Sequence, residues 1–472
     1  MRWLPADWRK TLLLAVALLL LATIHLSVAR FAGNQEVVGD GIWYAELSKN
    51  NPLELGFWTD ARPGFYPFLM KVLGSRLYAF QWILYFLACC LAAWVIVVSA
   101  RTLMAAIVSC VLLVLVTSSQ NYIFWGGFAL TESYTLSCCL ILASLSLLAD
   151  KSAWVWPPIL IVLSTMVLVR DVNLYLSIAF LGLVGLSNTR ALLSLSSSTF
   201  RPQSWVRQNR PMAWFRFGAI VTTAVLLFLA LGITWHSQRA NYRYLTNLQN
   251  VIQMRMMPDA GARAYLADHG LTIGPLLATR AHKPAWEDQA NNGAPEMQAY
   301  GEWMRKHGLT AYEQFLLAHP TFLLASLLED RPEITPGSTS LLDDMGLPSL
   351  LNLHSWQGFY PIGSSFGGSL HPSWANWISS IPITWPGFLI MLAFASYWAV
   401  MGWRSGEADA LACLGISTLP TLIVSNLADA WDVWRHGLPF IFLAQMCAVA
   451  FIGRLVDFAL TRTAPYPLRQ HC

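Results

Sequence analysis

The sequence predicts an all-α polytopic membrane protein with about ten transmembrane helices and a mostly helical outer segment. Of its 472 residues, 56% are hydrophobic and only 12% are charged, whereas soluble domains carry about 25% charged residues. Apolar stretches of roughly 20 residues recur, and each can cross a hydrocarbon core about 30 Å thick. The 22 Trp residues suit the aromatic belts found at membrane interfaces.

Ten spans account for the apolar stretches. They lie at about 11–30, 77–100, 102–119, 128–148, 154–170, 172–187, 217–235, 383–403, 410–427 and 437–458. The first is interpreted as an anchor, because its apolar run is long for a signal peptide and no clean cleavage site follows. The chain then divides into residues 1–235 with spans one to seven, an outer domain at 236–382, and residues 383–472 with the last three spans and a tail.

Basic residues near the span ends predict the orientation. Most of them fall on one side, among them Arg2, Arg9, Lys10, Arg101, Lys151 and Arg454. That side is cytoplasmic by the positive-inside rule, so both termini are expected in the cytoplasm. The first outer loop, residues 31–76, and the 236–382 segment then face outward. Four basic residues are exceptions, because they fall on the predicted outer side: Arg30, Arg62, Lys71 and Arg76.

The outer segment has its own helical signals. Residues 237–257 have the periodicity of an amphipathic helix. Two further helices are predicted to end at Gly270 and Gly308, because glycine suits a helix C-terminus. Residues 331–382 are rich in Pro, Gly and Ser and are interpreted as loops.

Ionisable side chains near the outer ends of the spans are the candidate functional groups, because charge within a membrane is costly. Glu132 begins span four, and Arg170 with Asp171 joins spans five and six. The same face carries Asp40, Asp60, Asp429, Asp432, Arg435 and His436. Several distant segments are therefore expected to send charge to one outer crevice.

These groups also have structural interpretations. Arg170 and Asp171 suit an ion pair at a helical hairpin. Glu132 suits the first turn of a helix, where an acid is favourable. The groups before span ten suit contact with water or lipid headgroups.

Asp40 is the strongest single candidate. It lies between Gly39 and Gly41 in "VVGDGIWY", and glycine permits the close approach of another molecule. An Asp at a helix N-terminus is the alternative, but capping does not require flanking glycines.

Other classes of function lack their signals. No basic patch with interleaved aromatic residues is present, so a nucleic-acid partner is not expected. The sequence has no HExxH spacing and no P-loop.

Four stretches carry a resemblance. They are "GDGIWYAELSK" with "RPGFYPFLMKVLG", then "ALTESYTLSCCLILASLSLL", "LSTMVLVRDVNLYL" and "DAWDVWRHGLPFIFLAQM". In order, side and spacing the set resembles the GT-C superfamily of integral membrane glycosyltransferases, which use polyprenyl-phosphate-linked sugars. The resemblance covers spans one to six and nine to ten, and the 236–382 segment matches no characterised subgroup.

The resemblance implies a GT-C-like fold and sugar transfer to a glycan, lipid or protein acceptor. The site would face the periplasm from a bacterial inner membrane. Asp40 would be the general base, and Glu132 would bind the acceptor, orient Asp40 or help to hold a metal. The donor phosphate would contact Arg435 first, then His436 and Arg170. Candidate sugar or acceptor contacts are Trp43, Tyr44, Asp60, Tyr66, Asp171 and Asp432, and the aromatic ones equally suit interfacial anchoring.

The sequence also departs from the family. Some members carry two acids with one residue between them in the first loop and use a divalent cation. Here the first acid would be Asp40, but the position of the second is occupied by Ile42. No cofactor is therefore firmly predicted, and Mg²⁺ or Mn²⁺ held by Asp40 and Glu132 is an alternative. Asp60 is the alternative catalytic acid. The competing functions are a polysaccharide polymerase or ligase and a transporter or flippase for lipid-linked sugars, although the sequence lacks the repeats of many transporters.

Overall fold

The computed structural model describes most of the membrane part and about half of the outer segment. The described residues are 7–32, 37, 40–60, 62–118, 122, 124–149, 152–197, 232, 244–285, 287, 293–329, 393, 396–397, 409–428 and 433–461. Regular structure within them is helical throughout, without strands. The predicted all-α class is confirmed for this part of the chain.

The described helices fall into three parts of the chain. The first part contains α1 (Trp8–Ala32), α2 (Asp40–Ser48), α3 (Leu55–Trp58), α4 (Phe65–Leu73), α5 (Leu77–Ser99), α6 (Leu103–Thr117), α7 (Thr131–Ala149), α8 (Trp156–Val169) and α9 (Asn173–Ser197). The outer segment contains α10 (Tyr244–Val251), α11 (Ala260–Asp268), α12 (Pro275–Ala278), α13 (Pro295–Trp303), α14 (Leu309–Ala318) and α15 (Pro320–Glu329). The last helices are α16 (Ala410–Ala428) and α17 (Val433–Thr461).

Four helical stretches are long and apolar enough to cross a membrane. They are Trp8–Leu26, Phe65–Ser99, Thr131–Ala149 and His436–Thr461. Shorter apolar helices lie at Leu103–Thr117, Trp156–Val169, Asn173–Leu186 and Ala410–Ser425. Helices thus form at eight of the ten predicted spans, and the number that crosses a bilayer stays a prediction. The spans predicted at 217–235 and 383–403 lie almost entirely outside the described residues.

Helix α7 lies at the centre of the bundle, against α5, α8, α16 and α17. In its apolar window 83% of the residues are buried, compared with 22% for the first span. The first residues of α7 include Glu132, so the fold holds this carboxylate inside protein rather than in lipid or water.

The two ends of the bundle are fixed by contacts between distant segments. Lys10 Nζ donates to the Ala100 carbonyl at 2.6 Å, and the Asp457 carboxylate accepts from the Arg101 and Thr102 amides at 2.8 and 2.7 Å. The starts of α1 and α6 therefore lie at the same end as the end of α17, which we call the inner end. Glu132, Arg170 and His436 lie at the opposite, outer end.

The outer unit, residues 244–329, has its own apolar core, which includes Leu248, Met256 and Trp303. The Tyr312 hydroxyl donates to the Leu427 carbonyl at 2.9 Å, so the unit sits beside the outer end of α16. Its first helix is confirmed from Tyr244 onward. The loops predicted at 331–382 lie outside the described residues.

One of the two predicted glycine helix ends is confirmed and the other is wrong. Gly270 has a φ of 85° directly after α11, as a left-handed terminus requires. Gly308 has a φ of −54°, and the helix runs on through a π-helical turn, Met304–Gly308, into α14. A Cβ at Gly308 would lie 3.1 Å from Met304 Sδ and 3.3 Å from Leu248 Cδ2, so this glycine allows close packing instead of ending a helix.

Candidate functional site

A buried ion pair lies at the outer end of the bundle. Glu132, in the first turn of α7, has no exposed surface. Its Oε1 lies 3.3 Å from Nη1 of Arg170, the residue that ends α8. A buried charge is strongly destabilising without a partner, so each residue depends on the other. This partner for Arg170 was not predicted from the sequence.

The turn after α8 places the Arg170 side chain. Arg170 has extended backbone angles, φ −148° and ψ 130°, which stop the helix. The Asn173 side-chain amide donates to the Met166 carbonyl at 2.8 Å and so satisfies one of the last carbonyls of α8. The guanidinium is therefore turned toward the bundle, where only 8% of Arg170 is exposed.

His436 completes this cluster from α17. Arg170 Nη2 lies 2.7 Å from His436 Nδ1. Because a guanidinium only donates hydrogen bonds, His436 Nδ1 is the acceptor. Arg170 Nη1, which lies 3.3 Å from Glu132 Oε1, forms no hydrogen bond within the described residues. The cluster thus retains N–H groups that can bind an incoming oxygen.

A second carboxylate–guanidinium pair lies in the first outer loop. Asp40 begins α2, and its Oδ1 lies 2.7 Å from Arg62 Nη2. The Asp40 side chain is 20% exposed and that of Arg62 is 37% exposed. Asp40 therefore does not point into bulk water, and a small ligand can still reach it.

Close backbone packing holds Asp40 near Glu132. A Cβ at Gly41 would lie only 2.8 Å from the Ala129 carbonyl oxygen. Helix α2 therefore rests on the chain segment that leads directly into α7. The sequence interpretation took Gly41 as room for another molecule, but the group that approaches it belongs to this chain.

Tyr44 is the residue that both pairs influence electrostatically. It is buried, and its ring meets Tyr66 edge-on with centroids 5.3 Å apart. Burial raises the pKa of Tyr44; Asp40 and Glu132 act in the same direction, and Arg62 and Arg170 oppose it. Both ion pairs are therefore within electrostatic range of one hydroxyl, which stays protonated and can donate a hydrogen bond.

The other predicted site residues differ in how far they are exposed to solvent. Trp43 is 64% exposed, Asp60 and Asp171 are half-buried, and Tyr66 is fully buried with its hydroxyl on Gln81. Asp429 and Asp432 lie outside the described residues, as does the side chain of Arg435. Arg170 and His436 are thus the predicted phosphate contacts that the structure places in the cluster.

Arg62 is the residue that sequence reasoning missed. It was noted only because it opposes the positive-inside bias of the outer loops. That exception was the available signal, since an arginine kept on the outer side against the bias needs an anionic partner there. Here the partner is Asp40.

The described side chains do not resemble a metal site. No group of three or more His, Cys, Asp or Glu side chains gathers around a point in the described part of the chain. Asp40 and Glu132 each face a guanidinium, whose positive charge opposes a nearby cation. The donor set therefore does not fit Mg²⁺ or Mn²⁺.

Comparison with known proteins gives no further guide, since neither a protein-family model nor a curated protein matches this sequence.

Proposed function

We propose that this protein is a membrane glycosyltransferase of GT-C type that takes a sugar from a polyprenyl-phosphate donor and transfers it at the outer face of the membrane. One observation carries the proposal. Two carboxylate–guanidinium pairs, Asp40–Arg62 and Glu132–Arg170, lie on chain segments that pack together through Gly41 and Ala129 at the outer end of an apolar helical bundle, and both act on the Tyr44 hydroxyl. A glycan, lipid or protein is the acceptor class.

The burial of charge supports a role in chemistry. Breaking a buried ion pair by removing one partner costs about 3–5 kcal/mol, whereas apolar residues of similar volume are often neutral or stabilising replacements. Charge retained within a membrane protein is therefore a default sign of function. The position also suits a substrate with a lipid tail and a polar head.

Asp40 is the proposed general base. An acceptor hydroxyl attacks the anomeric carbon, a new C–O bond forms, and the proton passes to the Asp40 carboxylate. The bond between the anomeric carbon and the phosphate oxygen breaks, and its electron pair leaves with the polyprenyl phosphate. A single displacement of this kind inverts the anomeric configuration. Asp60 remains the alternative base, and Asp40 is favoured because Asp40 and Glu132 both act on the Tyr44 hydroxyl.

Positive and hydrogen-bonding groups would stabilise the phosphate that departs. Arg170 would contribute its guanidinium, which pairs with Glu132 across 3.3 Å without a formed hydrogen bond, and guanidinium groups match phosphate geometry. Arg62 would move from Asp40 to the phosphate when the donor binds, which would free the base. Arg435 stays a prediction for the same role.

Glu132 is proposed to hold Arg170 in place and to set the charge around Tyr44. Its complete burial favours this role over direct contact with the acceptor. Tyr44 is buried as well, and it is proposed to support Asp40 from within the protein, while Trp43 is proposed to anchor the first loop in the membrane interface.

The decisive experiment uses the purified protein in proteoliposomes with a panel of polyprenyl-phosphate-linked sugars and cell-envelope glycolipid acceptors. Mass spectrometry is expected to show acceptors heavier by one sugar, with release of polyprenyl phosphate. A donor that crosses the bilayer intact, with no new glycosidic bond, would instead identify a flippase. Growth of a chain by many repeating units would identify a polymerase.

A further inference from the structure

We propose that Gln81 is a positioning residue that sets the distance between Asp40 and Glu132, an inference that rests on the proposed function. Gln81 lies in the second turn of α5 and is 1% exposed. It touches neither carboxylate. It acts through the chain segment 124–130, which contacts the helix of Asp40 and leads into the helix of Glu132.

The Gln81 amide uses both of its N–H donors on this segment, and its oxygen accepts from the first loop. Its Nε2 donates to the carbonyls of Gly126 and Phe128 at 3.1 and 2.8 Å. Its Oε1 accepts from the Tyr66 hydroxyl at 2.5 Å. A glutamine amide supplies two donors and an acceptor on one rigid plane, so the three contacts fix each other's geometry.

The clamped segment bears directly on both carboxylates. Helix α2 rests on the Ala129 carbonyl, 2.8 Å from where a Cβ of Gly41 would lie, and Asp40 is the residue before Gly41. At the other end of the segment α7 begins at Thr131, one residue before Glu132. Movement of residues 126–129 would therefore shift Asp40 relative to Glu132, and a misplacement of about 1 Å can cost about 10²-fold in rate.

The chain provides a matched control for this glutamine. Gln445 is 1% exposed and accepts from the Tyr122 hydroxyl at 2.7 Å, so it forms a second buried Tyr–Gln pair. Its Nε2 has no hydrogen-bond acceptor among the described residues. Gln445→Leu thus removes the same kind of buried amide without releasing the carbonyls that Gln81 holds.

The test compares Gln81→Leu with Gln445→Leu in proteoliposomes by hydrogen–deuterium exchange and by kinetics. Gln81→Leu is expected to raise amide exchange in residues 124–130 and 40–48, and to lower kcat about tenfold or more at unchanged donor KM. Gln445→Leu is expected to leave exchange in both segments and kcat near those of the native protein. Unchanged exchange in Gln81→Leu, or equal changes in both variants, would overturn the proposal.

A double variant sharpens the test. Gly41→Ala disturbs the same contact from the α2 side, so its effect and that of Gln81→Leu should not add. Fully additive losses in kcat would contradict a shared mechanism. Hydrogen–deuterium exchange is measured without substrate, so it tests whether Gln81 holds residues 124–130 independently of any sugar transfer. If the native protein transfers no sugar, that result overturns the proposed function alone.

Discussion

The outer and inner ends of α17 both hold charge against neighbouring helices, but they satisfy it differently. At the inner end Asp457 accepts three hydrogen bonds, from the Arg101 and Thr102 amides and from the Thr102 hydroxyl, all within 2.8 Å. Arg454 forms an ion pair with Asp409 at the start of α16. These contacts tie the last two helices and the α5–α6 turn together.

At the outer end the contacts are less complete. The Arg170 guanidinium lies 3.3 Å from Glu132 and bonds to His436 through Nη2, but its Nη1 has no described hydrogen-bond acceptor. Buried polar groups normally find partners, so an incomplete one indicates a bound molecule or a functional role. The inner contacts hold the fold, whereas the outer ones are the proposed place for a ligand.

The largest loss of sugar transfer is expected for a change at Asp40. Asp40→Asn removes the proposed base and keeps the side-chain size, so transfer should fall by about 10²–10⁴-fold. Thermal stability in detergent should change little, because Asp40 is partly exposed. Assays of sugar transfer and of melting temperature check this. Full activity in Asp40→Asn would remove the catalytic assignment.

The next effect concerns the buried pair. Arg170→Met removes the guanidinium that faces the buried Glu132 carboxylate, so the free energy of unfolding should fall by about 3–5 kcal/mol. The double variant Glu132→Gln with Arg170→Met removes both charges and should regain most of that stability. It should not regain transfer, because the proposed phosphate contact stays absent.

The same double variant can contradict the proposed difference between the two ends of the bundle. Recovery of both melting temperature and transfer rate in the double variant would show that the outer pair, like the inner contacts, serves only the fold.

A smaller effect is expected at Gly41. Gly41→Ala places a Cβ 2.8 Å from the Ala129 carbonyl, so α2 must shift and transfer should fall, by about 10²-fold at most. Gly56→Ala is the matched control in the same loop, since a Cβ there meets nothing within 4 Å. Equal rates for the two variants would show that the position of α2 does not matter for transfer.

The smallest effect on transfer is expected at the inner end. Asp457→Asn replaces one carboxylate oxygen, an acceptor, with an NH₂ group, which is a donor. That donor would face the backbone N–H groups of Arg101 or Thr102, so the free energy of unfolding should fall by about 1–3 kcal/mol. The transfer rate of the folded protein should stay unchanged. A selective loss of rate without loss of stability would place function at the inner end as well.

Sequence reasoning reached a large part of this arrangement. Apolar length predicted the helices, and the cost of charge in a membrane pointed to Glu132, Arg170 and His436 before any contact was known. The pairing of Glu132 with Arg170 escaped it, because hydrophobic length places a residue along a span but not its rotation toward a neighbouring helix. Gly308 was misassigned because glycine serves both helix ends and close packing, and only the backbone angle distinguishes them.

Composition and hydrophobic pattern alone determined that this chain forms a bundle of apolar helices with charge at its outer end, because those properties depend on local length and solvation. Tertiary structure alone decided that Arg62 faces Asp40, that Gly41 rests on Ala129 and that Gln81 holds the segment between the carboxylates. Such contacts depend on how helices rotate and pack against each other, and many rotations bury nearly the same apolar area.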